Sequence, residues 1–167
     1  NELSAECLLE ACRIGQQLGI PVILNPAPAV NVPAQAIQNS ALITPNYGEA
    51  KLLTGFAEDQ QPAGEEIAAR FAVQGVKNAV ITLGSQGALV MEQGSIYKIP
   101  AYSCGAAVDT TGAGDTFNGF LTAALSLGKP LCEAARLAVV AAGISVTRCG
   151  AAGSIPTKAE VEKCYIG

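Results

Sequence analysis

Apolar positions recur at helical spacing early in the chain, bunch into short runs in its middle, and return to helical spacing near its end. In residues 5–18, Leu8, Leu9, Cys12 and Leu18 supply the apolar positions behind Ser4, whose hydroxyl suits a helix cap, and Gly19 offers a left-handed stop. "IPVILN" (20–25) and "ALIT" (41–44) are short apolar runs, broken by "PAPAV" and by Pro45, and both read as buried strands. A short helix is expected over 47–54, before Gly55. The next starts at Pro62, places Glu65 and Glu66 near the positive end of its dipole, turns Ile67, Ala68, Phe71 and Ala72 inward, and closes at Gly75. Strands at 79–83, 88–92 and 95–99 are separated only by "GSQG" and "QG", which predicts antiparallel hairpins. From the turn at 109–114 a helix runs to about Leu127, with Phe117, Phe120, Leu121, Ala124 and Leu125 in step. Gly128 ends it, and Pro130 opens a helix to about Thr147 that is apolar nearly all round and therefore expected to be buried. Gly143 inside that helix costs roughly 1 kcal/mol against alanine, which a closely packed neighbour would justify. Strands alternating with helices, followed by a hairpin, predict an α/β sandwich on a mainly parallel sheet with right-handed crossovers, without internal repeat or interdomain linker.

Composition narrows the chemistry. With 167 residues, half of them hydrophobic and 14% charged, the chain can bury a sizeable core. The net charge of -4 gives no footprint for nucleic acid, yet leaves room for a local anion site. There are no histidines, so Ser-His-Asp and Cys-His mechanisms and histidine metal sites are excluded, and any general base is a carboxylate, lysine, tyrosine or cysteine. Six cysteines without a C-x-x-C pair read as reduced, mostly buried thiols in a cytoplasmic protein. The longest strongly apolar run, between Arg136 and Arg148, is too short to cross a bilayer, and no signal peptide is visible. Met91 is the only methionine, so residue 1 is not a translation start; a cleaved tag, a removed leader or a start inside a larger protein would each account for it.

The segment "DTTGAGDTFNGF" (109–120) holds two of the chain's three aspartates. If "TGAGD" begins a helix, its first amides have no partner within that helix. Gly112, Ala113 and Gly114 carry little or no side chain to block them, so a phosphate could approach the backbone at the positive end of the dipole. Asp115 would then stand beside the anion, an unfavourable place for a carboxylate unless it receives a proton from a hydroxyl attacking phosphorus. The plainer reading has Asp115 complementing a helix dipole. The flanking glycines, poor helix formers, argue for the chemical one. Neither a Walker A loop nor a G-x-G-x-x-G fingerprint is met: Gly128-Lys129 is followed by Pro130, and the last glycine position of the second is Phe117.

This segment resembles the C-terminal signature of the ribokinase-like (pfkB-type) carbohydrate kinases. "LNPAPA" (24–29), "ITPNYGEAKLLTG" (43–55), "ITLGSQGALV" (81–90) and "VTRCGAAGSIPT" (146–157) are similar to further family blocks, in the family's order and spacing, and lean toward its ribokinase branch. The resemblance implies a three-layer α/β/α fold, present in part, and ATP-dependent phosphoryl transfer to a sugar hydroxyl. It makes Asp115 the catalytic base and the amides of Gly112, Ala113 and Gly114 an anion hole. It puts Asn46 and Glu49 near magnesium and the nucleotide phosphates, where a carboxylate acting through water is natural; the same pair is also a capping box. Thr82, Gly84 and Gly87 would lie along the nucleotide, or form an ordinary hairpin turn. Asp109 would bind a monovalent cation, potassium, with carbonyls of Thr111, Ser145, Arg148 and Gly150 and the Ser154 side chain completing the shell; an Asx-turn is the alternative for Asp109.

The match covers only the C-terminal half of such a kinase: residues 1–167 correspond to the nucleotide-binding and catalytic portion, and the sugar-binding half and lid have no counterpart. Two readings follow. Either the chain is part of a sugar kinase, or it is a non-catalytic nucleotide-binding or interaction module. The expected partners are ATP and a small sugar, with no nucleic acid and no membrane. By itself the half should expose an apolar patch and an unpaired strand edge, favouring self-association or union with the missing N-terminal half.

Overall fold

The structure, a computed structural model, describes residues 3–165. The chain divides into two compact units, Asn1–Leu83 with Leu89–Tyr97, and Gly84–Ala88 with Lys98–Gly167.

In the first unit, Ser4 accepts the amide of Cys7 and opens α1 (Ala5–Leu18), and Gly19 closes it at φ 67°. β1 (Ile23–Leu24), α2 (Ala34–Asn39), β2 (Leu42–Ile43), α3 (Tyr47–Leu53), α4 (Gly64–Val73) and β3 (Asn78–Thr82) follow, then β4 (Ala88–Glu92) and β5 (Ser95–Ile99). The strands form one sheet in the order β1-β2-β3-β4-β5. β1 and β2 are parallel with Ile23 opposite Leu42, and β2 and β3 are parallel with Ile43 opposite Ala79. Connections as short as those between β3, β4 and β5 permit only antiparallel neighbours, so the sheet is mixed. Its core joins Leu24, Ile43, Ala79, Ile81, Leu89 and Met91 of the strands to Leu8, Cys12, Ile37, Ala50, Ile67 and Phe71 of the helices.

In the second unit, α5 (Ala113–Ser126) packs on α6 (Leu131–Ser145), and α7 (Lys158–Cys164) packs on α6. Val140, Ala141, Ile144 and Val161 make a core there, bordered by Tyr102, Phe120 and Leu137. α6 is buried at nine of its positions, as its all-round apolar sequence requires. The glycine inside it has a neighbour: a Cβ at Gly143 would lie 2.3 Å from the carbonyl oxygen of Tyr102.

Several expectations need correction. β1 and β2 are shorter than their apolar runs, because Pro21 and Pro26 bracket the first and Pro45 stops the second. Pro62 lies before α4, whose cap is Ala63; the carbonyl of Pro62 instead accepts the Tyr47 hydroxyl at 2.8 Å. Ala72 is exposed, and Leu18, at the tail of α1, is 67% exposed. The cysteines remain thiols, but only Cys12 is buried: Cys7 is on the solvent side of α1, Cys104 and Cys149 lie in loops, and Cys132 and Cys164 are half-buried. The periodicity also missed α2 and α7, each too short to show an amphipathic pattern.

Candidate functional site

The start of α5 is built around two glycines with different reasons to be there. Gly112 caps the helix at φ 74°, a left-handed conformation that side chains resist, and a Cβ there would lie 3.3 Å from Cα of Ala151. Gly114 has ordinary helical backbone and nothing within 4 Å of a would-be Cβ, so neither conformation nor packing asks for glycine. Ala113 donates to the Thr110 carbonyl at 3.2 Å and Thr116 to that of Gly112 at 2.8 Å. The amides of Gly112, Gly114 and Asp115 have no acceptor among the described residues, and no side chain caps the helix. Three donors are thus left unpaired among the described residues at the positive end of a fourteen-residue helix.

Asp115 is exposed in the first turn, and its carboxylate has no hydrogen-bond partner among the described residues. It stands at the rim of a cavity of about 550 Å3 between α5, α6 and α7, walled by Phe120, Ala124, Leu137, Val161 and Tyr165. Thr116 also lines this cavity; its hydroxyl is buried without a partner among the described residues. A free acid beside unpaired amides and an apolar hollow can receive a proton while the amides hold an anion.

Asp109 secures the turn from behind. Its Oδ1 accepts the amide of Thr111 and its Oδ2 the amide of Gly150, both at 2.9 Å. These two amides, that of Thr111 first, hold its pKa down at about 2. The Thr111 bond is the Asx-turn, while the Gly150 bond ties the turn to the loop after α6. Of the six predicted cation ligands, Asp109, Thr111 and Gly150 are therefore brought together. Ser145 and Arg148 are joined by a 3.0 Å backbone bond at the end of α6, and the buried Ser154 hydroxyl donates to the Ala151 carbonyl at 2.7 Å. An ionised carboxylate among carbonyl and hydroxyl oxygens is the donor chemistry of a hard cation. Among the described residues no cluster of three or more His, Cys, Asp or Glu groups exists to hold a metal.

In the first unit, Asn46 and Glu49 form a complete capping box on α3. The Glu49 amide donates to Asn46 Oδ1 at 2.9 Å, and the Asn46 amide to Glu49 Oε2 at 2.8 Å. A metal bound directly by Glu49 Oε2 would compete with that cap, so the pair fits contact with magnesium through water. Thr82, at the end of β3, donates its amide to the Pro45 carbonyl and bridges to Asn46, so these two predicted residues meet. Gly87 has a packing reason: its Cβ would lie 2.1 Å from the Ile99 carbonyl oxygen. Gly84, at φ 58° with open space around it, begins the 3-10 turn Gly84–Gln86.

Sequence reasoning missed the fastening of the loop that holds Asp109. Glu160 Oε2 accepts the Thr157 amide at 2.7 Å and the Thr157 hydroxyl at 2.9 Å, while Glu160 Oε1 pairs with Arg148 at 2.5 Å. The Thr157 amide, then Arg148, hold the Glu160 pKa down at about 2. "TKAE" at 157–160 is a readable capping box; the ion pair, twelve residues apart, is not.

Residues 1–158 match the pfkB family carbohydrate kinases. The ribokinase of Haemophilus influenzae is 41% identical over 90% of this chain and 49% of its own length, and that of Bacillus subtilis 36% identical over 98% and 52%. The chain therefore spans about half the length of the curated relatives it matches. Among solved structures, the ribokinase of Thermotoga maritima superposes with a TM-score of 0.87 at 38% identity, covering 98% of this chain and 54% of that one. The Arabidopsis thaliana ribokinase, solved with ribose and ATP, gives 0.86 at 29%, covering 98% and 53%. The fold is accordingly a partial three-layer α/β/α ribokinase-like fold. With its signature turn opening α5 and its blocks in register along 158 residues, the chain belongs to the pfkB family of carbohydrate kinases.

Proposed function

We propose that this chain carries the nucleotide-binding and catalytic portion of an ATP-dependent sugar kinase. One observation bears most of the weight: the unpaired amides of Gly112, Gly114 and Asp115 beside a free Asp115 carboxylate. In this reading these three amides hold the oxygens of the phosphoryl group and stabilise charge as it is transferred, while the Ala113 amide donates to the Thr110 carbonyl instead. Asp115 takes the proton of the sugar hydroxyl as that oxygen bonds to phosphorus and the bond to the leaving ADP oxygen breaks. Magnesium, when bound, neutralises phosphate charge. Asn46 and Glu49 would act on it through water, and Thr82, Gly84 and Gly87 would line the nucleotide. Asp109, Thr111, Ser145, Arg148, Gly150 and Ser154 would hold potassium and so fix the turn that presents the amides. The acceptor is a small sugar, in keeping with the ribokinases among the relatives.

A second reading keeps nucleotide binding without catalysis. Calorimetric titration of the chain with magnesium-ATP, with and without potassium, tests the ATP site. Weak binding that potassium strengthens is expected, and a folded chain that ignores ATP in both buffers overturns the assignment. A coupled assay with ribose should show no turnover by this chain alone; robust turnover would overturn the division of labour between halves.

A further inference from the structure

We propose that Glu160 is a positioning residue for the start of α5, acting through Arg148 on the loop that grips Asp109. The inference rests on the reading of α5 as the phosphoryl site and goes beyond it, since Glu160 lies 45 residues from Asp115 in sequence and belongs to none of the signature blocks.

The connection runs bond by bond. Arg148 lies one turn beyond α6 and starts the loop that leads through Gly150, Ala151 and the 3-10 turn Ala152–Ser154 to α7. Three contacts on this stretch set the turn before α5. The Val146 carbonyl accepts the amides of Val108 at 2.7 Å and Asp109 at 3.2 Å. The Gly150 amide donates to Asp109 Oδ2 at 2.9 Å. Ala151 backs Gly112 at a tight distance, its Cα 3.3 Å from where a Cβ would lie. The far end of the loop is held by Thr157 and Glu160, and Glu160 reaches back to Arg148, closing the loop into a ring.

A pair between side chains 36% and 41% exposed would ordinarily contribute little, because ordering two long side chains offsets the Coulomb gain. Here Glu160 is already fixed by its capping box, so only Arg148 loses freedom when the pair forms. A ring closed across twelve residues also restricts the loop's excursions, which otherwise grow with its length. Glu160 thus confines Gly150, Gly150 confines Asp109, and Asp109 holds Thr111 just before the bare amides.

The competing account is that the pair merely staples α7 to the fold. Amide proton exchange and shifts by NMR, on the whole chain with Arg148→Met and Arg148→Lys, separate the two. Arg148→Met leaves the capping box intact, so the chain should still fold. Positioning predicts that the Gly150 and Thr111 amides exchange about tenfold faster in Arg148→Met, that the Gly150 proton moves away from its carboxylate-bonded shift, and that Arg148→Lys restores most of both. If only α7 amides change, or lysine fails to rescue, the proposal is overturned. Magnesium-ATP titration of the same variants reads the α5 assignment separately: altered Gly150 exchange with unaltered ATP affinity would sustain the clamp and undercut the phosphoryl reading.

Discussion

At the start of α3, Asn46 and Glu49 occupy each other's backbone partners, and the helix closes on itself. At the start of α5, three amides have no acceptor among the described residues, the cap is a left-handed glycine, and the nearby acid is unpaired among them. Each of these helices carries an acid within its first turn, so dipole complementarity alone does not distinguish them. What differs is where the hydrogen-bonding capacity goes. α3 uses it internally and gains stability, whereas α5 leaves it open and has its geometry imposed from outside by Asp109, Gly150 and Ala151. A helix start held by its surroundings rather than by its own cap is suited to a ligand, because the ligand displaces no internal bond.

The contrast can be broken most severely at Asp115. In a kinase completed with the sugar-binding half, Asp115→Asn should lower turnover by about 10²–10⁴-fold with little change in magnesium-ATP affinity; steady-state kinetics beside calorimetry reads this, and equal losses in both would remove the base role. Next in size is Gly112→Ala, which should destabilise the chain by about 1–2 kcal/mol in thermal or urea unfolding, because φ 74° is retained by Asp109 and Ala151. Asn46→Ala should cost about 1 kcal/mol of stability in unfolding, and should weaken magnesium-ATP binding as well, because in the proposed site Asn46 acts near the magnesium in addition to capping α3. Smallest is Gly114→Ala, which should stabilise the helix by up to about 1 kcal/mol while weakening magnesium-ATP binding. That opposition of sign sharpens the comparison, and a variant that gains stability without losing ATP would mean that the bare amides are not used.

Acid acts on the same contrast. Asp109 and Glu160 both titrate near 2 when folded, below the ordinary carboxylate range. Their stabilising contribution is therefore fully present above about pH 5 and is lost progressively as pH falls through 2. Unfolding followed from pH 5 to pH 2 should show stability falling across that window, with a shallower fall in Asp109→Asn. An unchanged slope would mean that Asp109 makes no such bonds in solution.

Legibility of the molecule in its sequence tracked the range of the interactions. α1, α5 and α6 follow from 3.6-residue periodicity, the first two with glycine stops, and the open start of α5 follows from two glycines and an acid. Gly143 was readable as a close approach, though Tyr102 as its neighbour was not. The strand ends were misjudged because proline stopped pairing before hydrophobicity ended. Leu18 and Ala72 show that an apolar residue at the end of a helix face need not be covered. The bonds from Gly150 to Asp109 and from Arg148 to Glu160 join residues 41 and 12 apart, separations that local patterns do not encode.

The contact between Tyr102 and Gly143 has a consequence for the exposed stretch 103–108. One end of that stretch is seated in a notch on α6, and the other is pinned where Val108 meets the Val146 carbonyl. Side chains between these points are exposed and, apart from Ser103 and Cys104, whose side chains donate to the Gly105 and Gly143 carbonyls, should be readily replaceable. Its length should not be: adding or deleting a single residue would pull Asp109 out of step with Gly150, so a loop permissive to substitution should be among the least forgiving of insertions.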